Sequence, residues 1–141
     1  MKRKFLDRAN IPNESRPDKW YSNTGQDKKW KRQRKKYGFD ERDTYSMDTT
    51  FYCWLLERLM MYKEISYVDL DGFPIKYEES MGKTQISYND QELTLGECID
   101  RMIEGCCIAL TDSDYGFDSE LKAKVDDVVK IWAVTIHDIW W

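Results

Sequence analysis

Apolar residues recur at helical spacing in three blocks of this chain, and a short block of alternating character separates the first from the second. The first block, Asp43 to Glu64, runs for several turns without Gly or Pro. Asp43, Thr44 and Ser46 at its start can each accept from a free backbone N–H and cap a helix. At about 100° per residue, Met47, Phe51, Trp54, Leu55, Leu59, Met61 and Tyr62 fall on one half of the wheel, which predicts a buried face there. Asp48 and Arg58 fall inside the same arc. A buried charge needs a partner, so this face is expected to enclose an ionic element, with Arg42 as the candidate partner of Asp48.

The second block begins at Thr94, with Glu97 three residues on in capping-box spacing. Ile99, Met102, Ile103, Cys106, Cys107 and Leu110 form its expected buried face. Gly105 marks either a weak point or a close helix approach. The third block, about Ser119 to Trp140, is capped through Asp118 or Ser119. Val128, Val129, Ile131, Trp132, Ala133, Ile136, Ile139 and Trp140 cover roughly 200° of its wheel, a width that suits packing on two sides. Between the first two blocks, residues 66–94 are rich in Tyr, Ile, Val and Thr. Turn signals at Asp71-Gly72 and Asn89-Asp90 predict one or two short hairpins.

Ahead of these blocks, the polar pattern is different. Residues 1–26 include Asn10, Pro12, Asn13, Pro17, Asn23 and Gly25 and read as an irregular arm. Phe5, Ile11, Trp20 and Tyr21 are its means of docking. Asp27 to Tyr37 reads as a short helix stopped at Gly38. Seven of its residues 28–36 are Lys or Arg. The expected architecture is therefore mainly α: three to four helices with one or two short β-hairpins inserted, as a single domain over residues 27–141 behind a basic arm.

The net charge of −4 hides an asymmetry. Residues 1–37 carry 13 Lys/Arg and four Asp/Glu, a net of +9, and residues 38–141 carry a net of −13. A basic segment beside an acidic body suits docking on that body, on a second copy, or on a polyanion. The aromatic content of 14% exceeds what a core of this size needs and suits an interface or a stacking surface. No run is long enough to span a membrane, and the first residues lack the apolar stretch of a signal peptide.

Candidate chemistry is sparse. Cys53, Cys98, Cys106 and Cys107 form no C-x-x-C pair, and His137 is the sole histidine. No metal set results, and the cysteines read as reduced, buried, small apolar residues. Asp112 to Asp118 superficially resembles a calcium loop, but its sixth and twelfth positions are Phe117 and Ala123 instead of Gly and Glu. Asp69-x-Asp71-Gly72 resembles the nucleophile loop of haloacid-dehalogenase phosphatases, but the chain lacks the large parallel sheet and the further motifs. No nucleophile motif or Gly-rich phosphate loop is present. The protein is thus expected to be no enzyme and to need no cofactor.

Two clusters remain. Trp30 among the Lys and Arg of residues 28–36 suits a phosphate-plus-stacking site or a solvated face anchored by that one ring. The candidate ligand contacts are Trp30, Arg32, Arg34 and Lys35, with Arg42 behind them. The elbow Gly38 to Asp43 reads as a cap-and-clamp network of Asp40, Arg42 and Asp43 that sets the angle between two helices, with Asp48 and Arg58 as further structural charges. Trp140 and Trp141 at the end are expected to dock in the core or across a subunit boundary.

The segment GFDERDTYSMD, the following ERLMMYKE and the terminal Trp-Trp resemble an uncharacterised family of short proteins from bacteriophages and prophages. Tyr45 and Met47 stand where that family carries Trp and Leu. The resemblance implies a phage origin and a role in host takeover or counter-defence in the host cytoplasm; it implies no chemistry. The leading expectation is a self-associating binding protein that occupies a host protein or sequesters an anionic nucleotide. The alternatives are a nucleic-acid-binding accessory protein using the basic arm, and a structural virion or packaging subunit.

Overall fold

A computed structural model describes residues 3–65 and 85–137. Among these, five α-helices and one hairpin are present: α1 (Lys4–Arg8), α2 (Asp27–Tyr37), α3 (Met47–Ile65), β1 (Gln85–Tyr88), β2 (Gln91–Thr94), α4 (Leu95–Thr111) and α5 (Ser119–Thr135). The protein is mainly α. The fifth helix, α1, lies within the arm, where none was expected.

Each boundary has a local cause. Gly38 closes α2 in the left-handed conformation (φ 84°), and its N–H donates to the Arg34 carbonyl, which suits glycine at that position. The Thr94 hydroxyl accepts from the Glu97 N–H at 3.1 Å and opens α4. Asp118 accepts from the N–H groups of Glu120 and Leu121 and opens α5. The hairpin turns at Asn89 and Asp90, both at positive φ (53° and 61°), as a type I′ turn requires. Its register pairs Ile86 with Leu93, and both side chains are buried. The other hairpin signal, at Asp71-Gly72, and the phosphatase-like Asp69 to Gly72 stretch lie outside the described residues, as do Ile139, Trp140 and Trp141.

Helices α3, α4 and α5 form the body, with α4 in contact with both of the others, α1 on α3, and the hairpin against α4 and α5. Gly105 is the close approach between α4 and α5. A Cβ there would lie 2.3 Å from Val128 Cγ2 and 2.6 Å from the Lys124 carbonyl oxygen. The core joins Leu56, Leu59, Cys98, Met102, Cys106 and Ile131 with Leu6 and Ile11 from the arm. Arm residues thus build the core, although most of the arm is irregular. Ser15 donates to the Leu110 carbonyl, and the buried Arg16 donates to the Ile11 carbonyl (2.9 Å) and to Asp7 (2.6 Å).

The buried face of α3 differs from the expected one. Cys53, Leu55, Leu56, Leu59 and Tyr62 are buried, whereas Met47, Trp54 and Met61 are exposed. The face is rotated by roughly 100°, about one residue around the helix. Residues 51–56 are apolar without a break, so the pattern left the direction open. In α5, Val125, Val128, Ile131 and Thr135 are buried while Val129, Ala133 and Ile136 face outward, so among the described residues this helix is covered on one side, not on two.

Candidate functional site: a cationic groove between α2 and α3

The elbow positions everything else. Asp40 is 1% exposed, and its carboxylate takes four donors. Oδ1 accepts from the Arg42 N–H (2.9 Å) and Nε (3.0 Å), and Oδ2 accepts from Arg42 Nη2 (2.8 Å) and Arg34 Nε (2.7 Å). Asp43 accepts from Arg34 Nη2 (3.1 Å) and returns to the chain by accepting from the Asp40 N–H (3.0 Å). Burial alone would raise the Asp40 carboxyl, but the hydrogen bonds from Arg42 and the charge of Arg34 offset it and hold the carboxyl below its ordinary range. Arg42 extends the clamp to the arm by donating to the carbonyls of Asp18 (2.8 Å) and Trp20 (3.1 Å). Its guanidinium also lies 4.1 Å from the Trp30 ring centroid.

The expected network therefore forms around Asp40, Asp43, Arg42 and Arg34, but Asp48 and Arg58 are not in it. Both are exposed. Asp48 sits in the first turn of α3 and accepts from the Ser46 hydroxyl (2.6 Å) and the Thr49 N–H (2.8 Å), bonds that hold its carboxyl below the ordinary range. It is a local cap, since its partners lie within two residues. Arg58 lies 4.6 Å from the Trp54 ring centroid and donates to the Trp54 carbonyl. Arg42 pairs with Asp40, two residues away, and not with Asp48.

Trp30 requires a second correction. It is 3% exposed, covered by Arg42, and its indole N–H donates to Glu41 at 2.9 Å. It anchors α2 to the elbow and offers no free face for stacking. Gln33 completes that anchor by accepting from the Glu41 N–H at 3.0 Å. Arg34 and Arg42 are likewise committed to Asp40 and Asp43. Arg32 is exposed on the outer side of α2, with its Nε turned to the Lys28 carbonyl. Only Lys35, of the five expected contacts, is both exposed and in the site described next.

That site is an open groove of about 1390 Å³ between α2, α3 and the start of the arm. Its floor and walls include Phe39, Met47, Trp54 and Met61, together with the cations Lys4, Lys19, Lys31, Lys35 and Arg58. None of these five cations has a carboxylate within ion-pair distance among the described residues. The groove's own carboxylates are mostly spent: Asp18 and Glu57 meet Arg3, and Asp43 meets Arg34. Asp27 alone of them has no such partner among the described residues. The groove thus presents unneutralised positive charge around an apolar floor. The apolar pattern of α3 places these exposed residues in the core, so the groove is not legible in the sequence.

Elsewhere the arm's arginines are paired. Arg3 meets Glu57, Arg8 meets Glu64 and Arg16 meets Asp7, so these arginines lie on the protein's own acids. Burial pushes the Cys53 thiol up to about 12 and the Cys106 thiol higher still. None of the four cysteines is in a disulfide, and Cys107 alone is not fully buried. No group of His, Cys, Asp and Glu suited to a metal occurs among the described residues. No helix described is long and apolar enough to cross a membrane. The chain matches no family model, no curated protein and no solved structure.

Proposed function

We propose that this is a non-enzymatic binding protein that acts by occupying a host protein, in the host-takeover or counter-defence role that its phage resemblance implies. The observation that carries this reading is the groove between α2 and α3, where five exposed cations, without carboxylate partners among the described residues, surround an apolar floor. Of the two ligand classes expected, a host protein is favoured over an anionic nucleotide for two reasons. The aromatic ring set among the basic residues, Trp30, is buried under Arg42, so that ring does not supply the stacking half of a nucleotide site. At about 1390 Å³, the groove also exceeds the roughly 300–1,000 Å³ of small-ligand sites. A nucleic-acid role for the arm is disfavoured by the intramolecular pairing of Arg3, Arg8 and Arg16 and by the acidic body.

Photo-crosslinking in host cells tests the proposal. A photoreactive residue replaces Lys35, at the groove, or Arg32, on the outer side of α2. A discrete host-protein adduct from position 35, absent from position 32 and lost when Lys31→Glu is added, is the expected result. No adduct from position 35, or the same adducts from both positions, overturns it.

A further inference from the structure

The outward side of α3 carries a second apolar stripe beside the one that builds the core; its central residue, Trp54, stacks on Phe51 and meets Trp132 edge-on. Met47, Trp54 and Met61 recur every seven residues and are 67%, 40% and 48% exposed. All three line the groove. A seven-residue apolar repeat keeps one stripe in line along a helix, which is the surface a second helix packs on. From Met47 to Met61 the stripe is about 21 Å long, or roughly four turns of a partner helix. Opposite it, α2 turns Lys31 and Lys35 into the groove, four residues apart and therefore on one face. Arg58 flanks the stripe on α3. The surface is thus an apolar rail between two cationic edges.

We infer that the occupant of this groove is an acidic amphipathic helix: a segment of about four turns with apolar residues at i, i+3, i+4 and i+7 and carboxylates on both flanks. The inference rests on the reading of the groove as a protein-binding site and names its partner's chemistry. Charge selects the flanks, because Lys31, Lys35 and Arg58 have no carboxylate partner among the described residues and an acidic helix supplies three or more. Backbone satisfaction selects the helix. An extended segment lying on an apolar floor would leave N–H and C=O groups without partners, whereas a helix bonds them internally. The methionines at both ends of the stripe suit a helix whose exact apolar side chains vary, since Met repacks at low cost.

Peptide titration tests this on the intact protein. The probe is a synthetic acidic amphipathic peptide of about 18 residues, which covers the stripe and a turn beyond. It is compared with a scrambled peptide of the same composition, with its Lys-for-Glu counterpart, and with ATP. The ordered acidic peptide is expected to bind, and the other three at least about tenfold more weakly. Met61→Asp and, separately, Lys31→Glu with Lys35→Glu are expected to weaken it about tenfold, while circular dichroism stays unchanged. Binding should also fall with salt. Met47→Asp at the far end provides a second apolar variant should Met61→Asp disturb folding. Equal binding of the scrambled or basic peptide, or tighter binding of ATP, overturns the inference. So does concentration-dependent self-association that Met61→Asp abolishes, because a second copy is then the occupant. A host-protein adduct at position 35 that the acidic peptide does not compete away overturns the helix inference and leaves the protein-binding reading standing. Failure of the adduct itself removes that reading.

Discussion

Replacing Asp40 with Ala is the sharpest test of what holds the α2–α3 angle, and so of what shapes the groove. The carboxylate is 1% exposed and receives four donors, three from Arg42 and one from Arg34. Without it, the Arg42 guanidinium stays enclosed with two carbonyl acceptors and the Trp30 ring but without its bonded anion. Removing one partner of a buried pair typically costs about 3–5 kcal/mol. The lost cap at the Arg42 N–H adds about 1 kcal/mol. Asp43 remains against Arg34 at 3.1 Å and limits the damage, so a net loss of about 3–4 kcal/mol is expected. That is a large share of the roughly 5–15 kcal/mol available to a domain. With a urea slope of about 1–3 kcal/mol per molar, the midpoint should fall by about 2 M. Asp48→Ala, which removes only an exposed local cap, should cost about 1 kcal/mol. The pH dependence has a definite sign. The folded Asp40 carboxyl lies below its ordinary value, so its stabilisation is present above the unfolded pKa of about 3.9. It is lost as pH falls through the lower folded value. The Ala variant should lack that part of the acid limb. Urea melts at neutral and acidic pH, followed by tryptophan fluorescence, measure both effects. A loss under about 1 kcal/mol, or an equal loss for Asp48→Ala, would show that the elbow is not the clamp described.

The other expectations concern the helix contacts and the thiols. Gly105→Ala places a Cβ 2.6 Å from a backbone oxygen of α5; overpacking of about 1–3 kcal/mol should exceed the gain in helix propensity of about 1 kcal/mol, and thermal melts should show a lower Tm, which Val128→Ala restores only in part because the Lys124 carbonyl remains. Tyr88 donates to Asp127 at 2.6 Å and ties the hairpin to α5, so Tyr88→Phe should cost about 1 kcal/mol in urea melts. Burial and that bond push the Tyr88 phenol up to about 12; its stabilisation holds below the unfolded value of about 10 and is lost as pH rises through 12, which ultraviolet titration against the Phe variant detects. A thiol reagent on the native protein should leave Cys53, Cys98 and Cys106 unmodified and reach Cys107 first, because the first three are buried; rapid labelling of all four would contradict the packing.

Local chemistry was legible in the sequence wherever a backbone group needed a nearby partner. Gly38 after the basic helix, Thr94 and Asp118 before α4 and α5, and the Asn89-Asp90 turn all act within a few residues of themselves. The Asp40–Arg42–Asp43 clamp was legible for the same reason, since its partners lie two and three residues apart. Wheel angle misplaces Asp48 and Arg58, because a wheel has no ends and no neighbours. Basic neighbours in sequence make Trp30 read as a ligand contact; its burial depends on Arg42 and Glu41, more than ten residues on.

What the sequence by itself determined is where α2 stops, where α4 and α5 start, which segment is basic, and that Asp40 and Asp43 clamp the elbow. Those follow from short-range bonding and from composition. The tertiary structure decided which side of α3 is core and which is open. That helix is apolar around most of its circumference, so only the arrival of Leu6 and Ile11 from the arm and of α4 selects a face. The apolar stripe left over, Met47–Trp54–Met61, becomes a groove floor because α2, held by the Asp40 clamp, sets its lysines alongside without covering it.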